Sequence, residues 1–333
     1  MTVQTPDYDL PRVAAAVARG ESVDSKLTEE MAQITKDIAE DFSPANKHIF
    51  AQTIGYAVNE LQQKSLDFFG PRADQKTVPY GAKAAFNVQL RGIVAQIQAK
   101  GATPSRSYVA SRQVSVETEE IAARPTIQVG DLLTGRINMP NLVREANEAI
   151  DRIKLQKVQT VLHEAIAGGK YTTPFYAEGT GGVNAEALDK QIDYFAEFGP
   201  VFILGTRSAL RQVASLSGGL LDATAKHFSD NMIDQMNANG HLGVYNGAEL
   251  VAMQNAYIPG TTTPLLKTNW LYILPGGFSD DTRNLKLVHE GGIRSFEGTS
   301  DDDEALQLTI KTWFGASFIT MDRLPTVGAY QIN

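Results

Sequence analysis

One apolar stripe holds through residues 139–168. Leu142, Ala146, Ile150, Ile153, Val158, Val161, Leu162 and Ile166 recur at helical spacing. Such a helix makes about eight turns and spans roughly 45 Å, too long for a compact enzyme lobe. Asn138 is placed to cap it, Pro140 falls in its first turn, and Gly168-Gly169 end it. Arg144, Glu148, Arg152, Lys154 and Lys157 are expected on its solvated face.

Ahead of this helix the period changes. Phe86, Val88 and Leu90 alternate with polar neighbours, and Val94 and Ile97 continue less regularly. A Gly/Pro/Ser tip follows (Gly101–Ser105), and a second strand-like run carries Tyr108, Val114 and Val116, then Ile127 and Val129. Together these predict a long hairpin within residues 73–130. Two strands alone are marginal in water, so the hairpin must lie on something else.

The first 25 or so residues, with Pro6, Pro11 and Gly20, suggest an extended arm. Leu27, Met31, Ile34 and Ile38 then mark one helix. A second starts at Pro44, with Ser43 as cap, and runs to about Phe69 before Gly70-Pro71.

Beyond the long helix, residues 185–197 predict a helix and Val201–Leu204 an interior strand. A helix carrying Leu210, Val213 and Leu216 comes next, with Thr206 or Ser208 as cap, and residues 220–239 suggest a polar, loosely helical insertion. Short strands are expected at Leu250–Met253, Trp270–Leu274 and Leu285–Val288, and a strand pair closes the chain at 305–321. Trp270, Trp313, Phe314 and Phe318 fall in strand patterns and are expected in the core.

Charge is distributed unevenly along this acidic chain of net charge −8. Residues 1–41 hold nine acids against four bases, whereas residues 76–112 hold six bases and no acid. Lys83, Arg91, Lys100, Arg106 and Arg112 therefore become candidates for contacts between subunits. Asp301, Asp302, Asp303 and Glu304 are candidate partners on a neighbouring copy. The negative balance argues against gripping nucleic acid over the whole surface, but not against enclosing it. No apolar run reaches the ~18–20 residues of a membrane span, and with no cysteine there is neither a disulfide nor a thiolate site.

Catalytic signatures are missing. His48, His163, His227, His241 and His289 show no metal-ligand spacing, and there is no HExxH or GxSxG. Consecutive acids at 301–304 more often form a solvated turn than a cation site. Glu178–Gly182 has the glycines of a phosphate loop without its Lys-Ser/Thr. No cofactor is expected.

The order of elements is similar to that of tailed-bacteriophage major capsid proteins, the Hong Kong ninety-seven phage capsid fold. Residues 126–169 look like the extended loop leading into that family's spine helix, and 199–216 like the strand and helix opening its axial domain. Residues 245–260 resemble the middle of that domain, and 311–327 the terminal strands returning beside the spine helix. The resemblance covers about residues 45–330. It implies an α+β chain with an N-terminal arm and helices (1–72) and an extended loop (73–130). A peripheral domain with the spine helix (131–184), an axial domain (185–304) and return strands of the peripheral domain (305–333) follow.

It also implies hexamers and pentamers that close into an icosahedral shell around double-stranded DNA, assembled in the host bacterial cytoplasm. The implied partners are copies of the chain, a portal, a decoration protein in some assemblies, and a separate scaffolding protein, the last because the N-terminal arm is short. The lysine–asparagine cross-link of some members has no identifiable acceptor here, although Lys83 and Lys100 lie in or near the loop. The alternatives are an encapsulin-type cargo shell and, more remotely, an α/β hydrolase or metal enzyme using residues 301–304.

Overall fold

The structure, a computed structural model, describes residues 9–21, 25–41, 43–65, 70–89, 111–134, 136–168, 174–215, 243–258, 260–276, 283–300, 305–320 and 326–333. It is organised around two sheets and the long helix that serves both.

Three helices open the chain: α1 (Asp9–Ala18), α2 (Ser25–Glu40) and α3 (Pro44–Ser65). The first of them corrects the expected extended arm. Pro11 sits in the opening turn of α1, where a missing N–H leaves no helical bond unmade, and Gly20 takes a positive φ of 75° just past the helix end. Ala14 and Ala15 are buried against α3 and the long helix, so proline and glycine punctuate this segment without unwinding it.

The first sheet has the order β1 (Asp74–Val78), β11 (Leu285–Ser300), β12 (Ala305–Phe318) and β4 (Glu119–Ala123), with β5 (Thr126–Gln128) also on β12. The second has the order β6 (Tyr176–Gly179), β13 (Gly328–Ile332), β10 (Trp270–Pro275), β7 (Val201–Thr206), β9 (Ala248–Met253) and β8 (Val244–Tyr245). Every residue of β7 and β10 is buried, which is why these strands read as unbroken apolar runs. α6 (Ala185–Ala196) and α7 (Arg207–Ser215) pack beside this sheet. Asn184 caps α6 by accepting from the Ala187 N–H at 3.2 Å, whereas the Thr206 hydroxyl donates to the Thr268 carbonyl at 3.3 Å. The C-terminal segment is divided between the sheets, β12 in the first and β13 in the second.

The short helix α4 (Val129–Leu133) leads to α5 (Met139–Gly168), whose 30 residues match the expected span. Asn138 Oδ1 accepts from the Asn141 N–H at 3.0 Å. Met139, Val143, Ala146 and Ile150 pack with α1, α3 and β12, while Val158, Leu162 and Ile166 pack with the inner strands of the second sheet. One helix thus contributes to two cores. Ile153, expected in the stripe, is 41% exposed, and Lys154, expected in solvent, is 5% exposed. The buried row steps 150, 154, 158 by fours, and Lys154 fits it because its amine finds a polar partner.

Two strand expectations need correction. β2 (Ala84–Gln89) pairs antiparallel with β3 (Ser111–Val116), but the rest of the return run belongs elsewhere: β4 and β5 pair with β12, and Ile127 enters the main core. Alternation identifies a strand without naming its partner. The expected pair at 305–321 is a single 14-residue strand, β12. Its Gly315 is not a turn; a Cβ there would stand 2.4 Å from the Glu117 carbonyl oxygen. Gly315→Ala should therefore cost about 1–3 kcal/mol through overpacking, and an unchanged denaturation midpoint would refute this account of the glycine.

Candidate interaction surface

The described part of the hairpin is its root. Ala84, Phe86 and Val88 of β2 and Val116 of β3 are buried, and Ala84, Phe86 and Val116 pack with Val288 of β11 and Val78 of β1. Ala85, Asn87, Gln113 and Ser115 form the exposed face. The hairpin lies on the first sheet, as two isolated strands require.

Lys83 is exposed immediately before β2, and Arg112 is exposed directly opposite Val88 in the register. Arg91, Lys100 and Arg106 lie outside the described residues, as do Asp301, Asp302, Asp303 and Glu304. The charge pairing expected between those groups thus has only Lys83 and Arg112 on the described surface. Lys76, another base of the acid-free run, is engaged within the subunit. It donates to the Ala85 carbonyl at 2.7 Å and sits 4.5 Å from the Phe86 ring centroid.

What anchors the root was not anticipated. Lys286, fully buried on β11, donates to Asp74 Oδ2 on β1 at 2.7 Å. These two residues are direct register partners in the parallel pair. The same ammonium lies 5.3 Å from the Phe86 centroid, so one buried cation joins β1, β11 and the hairpin. A lysine inside the apolar run Leu285–Val288 was the available signal. Arg72, just before β1, reaches to the second sheet, pairing with Glu249 and lying 5.3 Å from the Phe202 centroid.

Beside the root is an aromatic and cationic patch. The Arg294 guanidinium lies 4.0 Å from the Tyr80 centroid and 5.6 Å from that of Trp313, and the two rings meet edge-on at 4.7 Å. Tyr80 and Phe296 are about half exposed, at 52% and 49%. Exposed aromatics beside arginine are the composition favoured at protein interfaces. Trp313, expected in the core, is only half-buried, as is Phe318, whereas Trp270 and Phe314 are buried.

Lys154 on α5 donates to Gln62 Oε1 on α3, and Gln62 Nε2 donates to Asp151 Oδ1 at 2.8 Å. Burial lowers the lysine to about 8, with Asp151 opposing. His289 on β11, 7% exposed, is lowered to about 3 by burial and then by Lys154. An unfolded chain binds a proton at His289 between roughly pH 6.5 and 3 while the folded chain does not. Stability from this residue should therefore fall as pH drops through that window. Between about 8 and 10.5 the unfolded lysine likewise holds the extra proton, so stability should rise with pH there. As pH falls from about 6.5 toward 3, the urea midpoint of wild type should drop further than that of His289→Gln; identical pH profiles would remove His289 from this role.

Among the described residues no group of three or more His, Asp or Glu side chains is arranged to hold a metal ion. His163 packs edge-on against Trp270 at 4.8 Å. No described helix is long and apolar enough to cross a membrane.

A two-stranded ribbon lying on one sheet with its outer face exposed, an α5 that serves both cores and an interface-like patch fit a chain that associates with copies of itself. The family model described as "SPbeta prophage-derived putative capsid protein YonB" matches residues 17–329. The chain belongs to this capsid family. Its fold is similar to solved phage structures at low sequence identity. A chain of Microbacterium phage Oxtober96 is 11% identical with a TM-score of 0.52, covering 78% of this chain and 90% of that one. For Mycobacterium phage Cain the values are 13%, 0.51, 80% and 90%. For the mature capsid of bacteriophage PhiM1 they are 12%, 0.50, 80% and 86%. No curated protein matches in sequence. The YonB-family chain therefore has the tailed-phage capsid fold and is a structural protein of the virion that assembles into a shell.

Proposed function

We propose that this major capsid protein forms hexamers and pentamers that close into an icosahedral shell around double-stranded DNA. The observation that carries the proposal is the β2–β3 hairpin. It is covered on one side at its root and has an outer face that stays exposed among the described residues. A neighbouring copy supplies that cover and turns many weak contacts into a closed container.

In this reading residues 73–130 act as the extended loop and 139–168 as the spine of a peripheral domain spanning 131–184 and 305–333. Residues 185–304 act as the axial domain and 1–72 as the N-terminal region. Lys83, Arg91, Lys100, Arg106 and Arg112 meet acidic groups of adjacent copies, Asp301–Glu304 among them. Assembly takes place in the host cytoplasm with a separate scaffolding protein and a portal, and in some forms a decoration protein. The net charge of −8 keeps packaged DNA from adhering to the wall. No catalytic role is assigned.

Sedimentation of the chain co-expressed with its scaffold should give capsomers or shells. A stable monomer under native salt in that co-expression would reject the proposal. An encapsulin-type compartment would enclose a protein cargo instead of genome-length DNA, and analysis of the shell contents separates the two.

A further inference from the structure

β11 departs from β12 at a bulge. Four steps along β11, from Glu290 to Arg294, face two along β12, from Trp313 to Lys311. The surplus Gly291-Gly292 arches away, Gly291 taking a positive φ of 65°. Beneath the arch is a cavity of about 460 Å³, walled by α3, α5, β1, β11 and β12. Among the described residues, the only ionisable side chains lining it are Lys154 and His289, and no carboxylate does. His289 is buried, and its Nε2 has no hydrogen-bond partner. Thr312 and Asn59 add further polar groups to the wall.

We propose that this cavity binds a small oxyanion, a phosphate or a carboxylate, between the Lys154 ammonium and the His289 imidazole. A buried polar atom left without a partner costs free energy that an incoming oxygen would recover. The Lys154 charge, taken out of water, gains most from an opposite charge in the same low-dielectric space. Asp151 offsets part of the Lys154 charge from outside the lining, where its carboxylate accepts from Gln62 and from Asn147 Nδ2 at 3.0 Å. An adjacent anion would also raise both depressed pKa values, which gives the site a direct readout. A carboxylate could arrive free or on a side chain of a second copy; the chemistry is the same.

The site belongs to the single subunit, so its binding is measurable whether or not shells form. Hydrogen exchange at the imidazole C2 position, followed by mass spectrometry, reports the pKa of each histidine. Titrating unassembled subunit with inorganic phosphate, and separately with acetate, should raise the His289 midpoint saturably by about one unit or more. Chloride at equal ionic strength should not, and exposed His48 serves as the internal control. Lys154→Met should abolish the response; if that variant fails to fold, the wild-type titration decides alone. In assembled shells, a raised midpoint without added anion identifies a side-chain carboxylate from a neighbour, and one that appears only with phosphate identifies the free ion. A His289 midpoint unmoved by phosphate, acetate and assembly alike, or a response surviving in folded Lys154→Met, overturns the proposal.

Discussion

Asp74→Ala should destabilise the folded subunit by about 3–5 kcal/mol, because it leaves the Lys286 ammonium fully buried without its carboxylate. Against a typical domain stability of about 5–15 kcal/mol this is a large fraction, and soluble yield should fall with it. The loss arises from the stranded charge rather than from the net worth of the pair. Adding Lys286→Met to the alanine variant should therefore restore most of the stability, since methionine keeps an unbranched apolar side chain in the buried site and removes the charge. Urea denaturation of the two variants measures this directly. Similar midpoints for the single and double variants would mean that the pair is not what holds β1 to β11.

Reversing three bases of the hairpin, Arg91→Glu with Arg106→Glu and Arg112→Glu, should block assembly and leave the subunit folded. Replacing attraction by like-charge repulsion across a contact costs several kcal/mol, and a shell repeats that cost at every copy. Within the subunit Arg112 is exposed, so its substitution should change folding by no more than about half a kcal/mol. Sedimentation reads assembly and circular dichroism reads folding. Normal shells would show these bases to be a solubilising surface only, and loss of folded subunit would place them in the fold.

The long helix was legible because 30 residues of one period leave little room for another structure. The buried strands β7 and β10 were legible because continuous apolar runs in so short a span fit an interior strand. Partners were not legible. The end of the strand-like return run, with Ile127, was expected in the hairpin, yet the hydrogen bonds of β4 and β5 go to β12, more than half the chain length away. Lys154 and Lys286 were misplaced or missed for a related reason. Hydropathy assigns lysine to solvent, and only a partner distant in sequence, Gln62 or Asp74, makes its burial possible. At the candidate surface, sequence identified the acid-free basic run, while the Tyr80–Arg294–Trp313 patch depends on three segments meeting in space. The α1 helix was obscured by Pro11, a residue as compatible with a first turn as with an extended arm.

Electron cryomicroscopy of particles purified after co-expression with the scaffold tests the central claim most directly. The account predicts closed icosahedral shells of hexamers and pentamers, with the β2–β3 hairpin of each subunit lying over an adjacent copy. Uniform particles of a few subunits, or shells in which that hairpin touches only its own subunit, would contradict it.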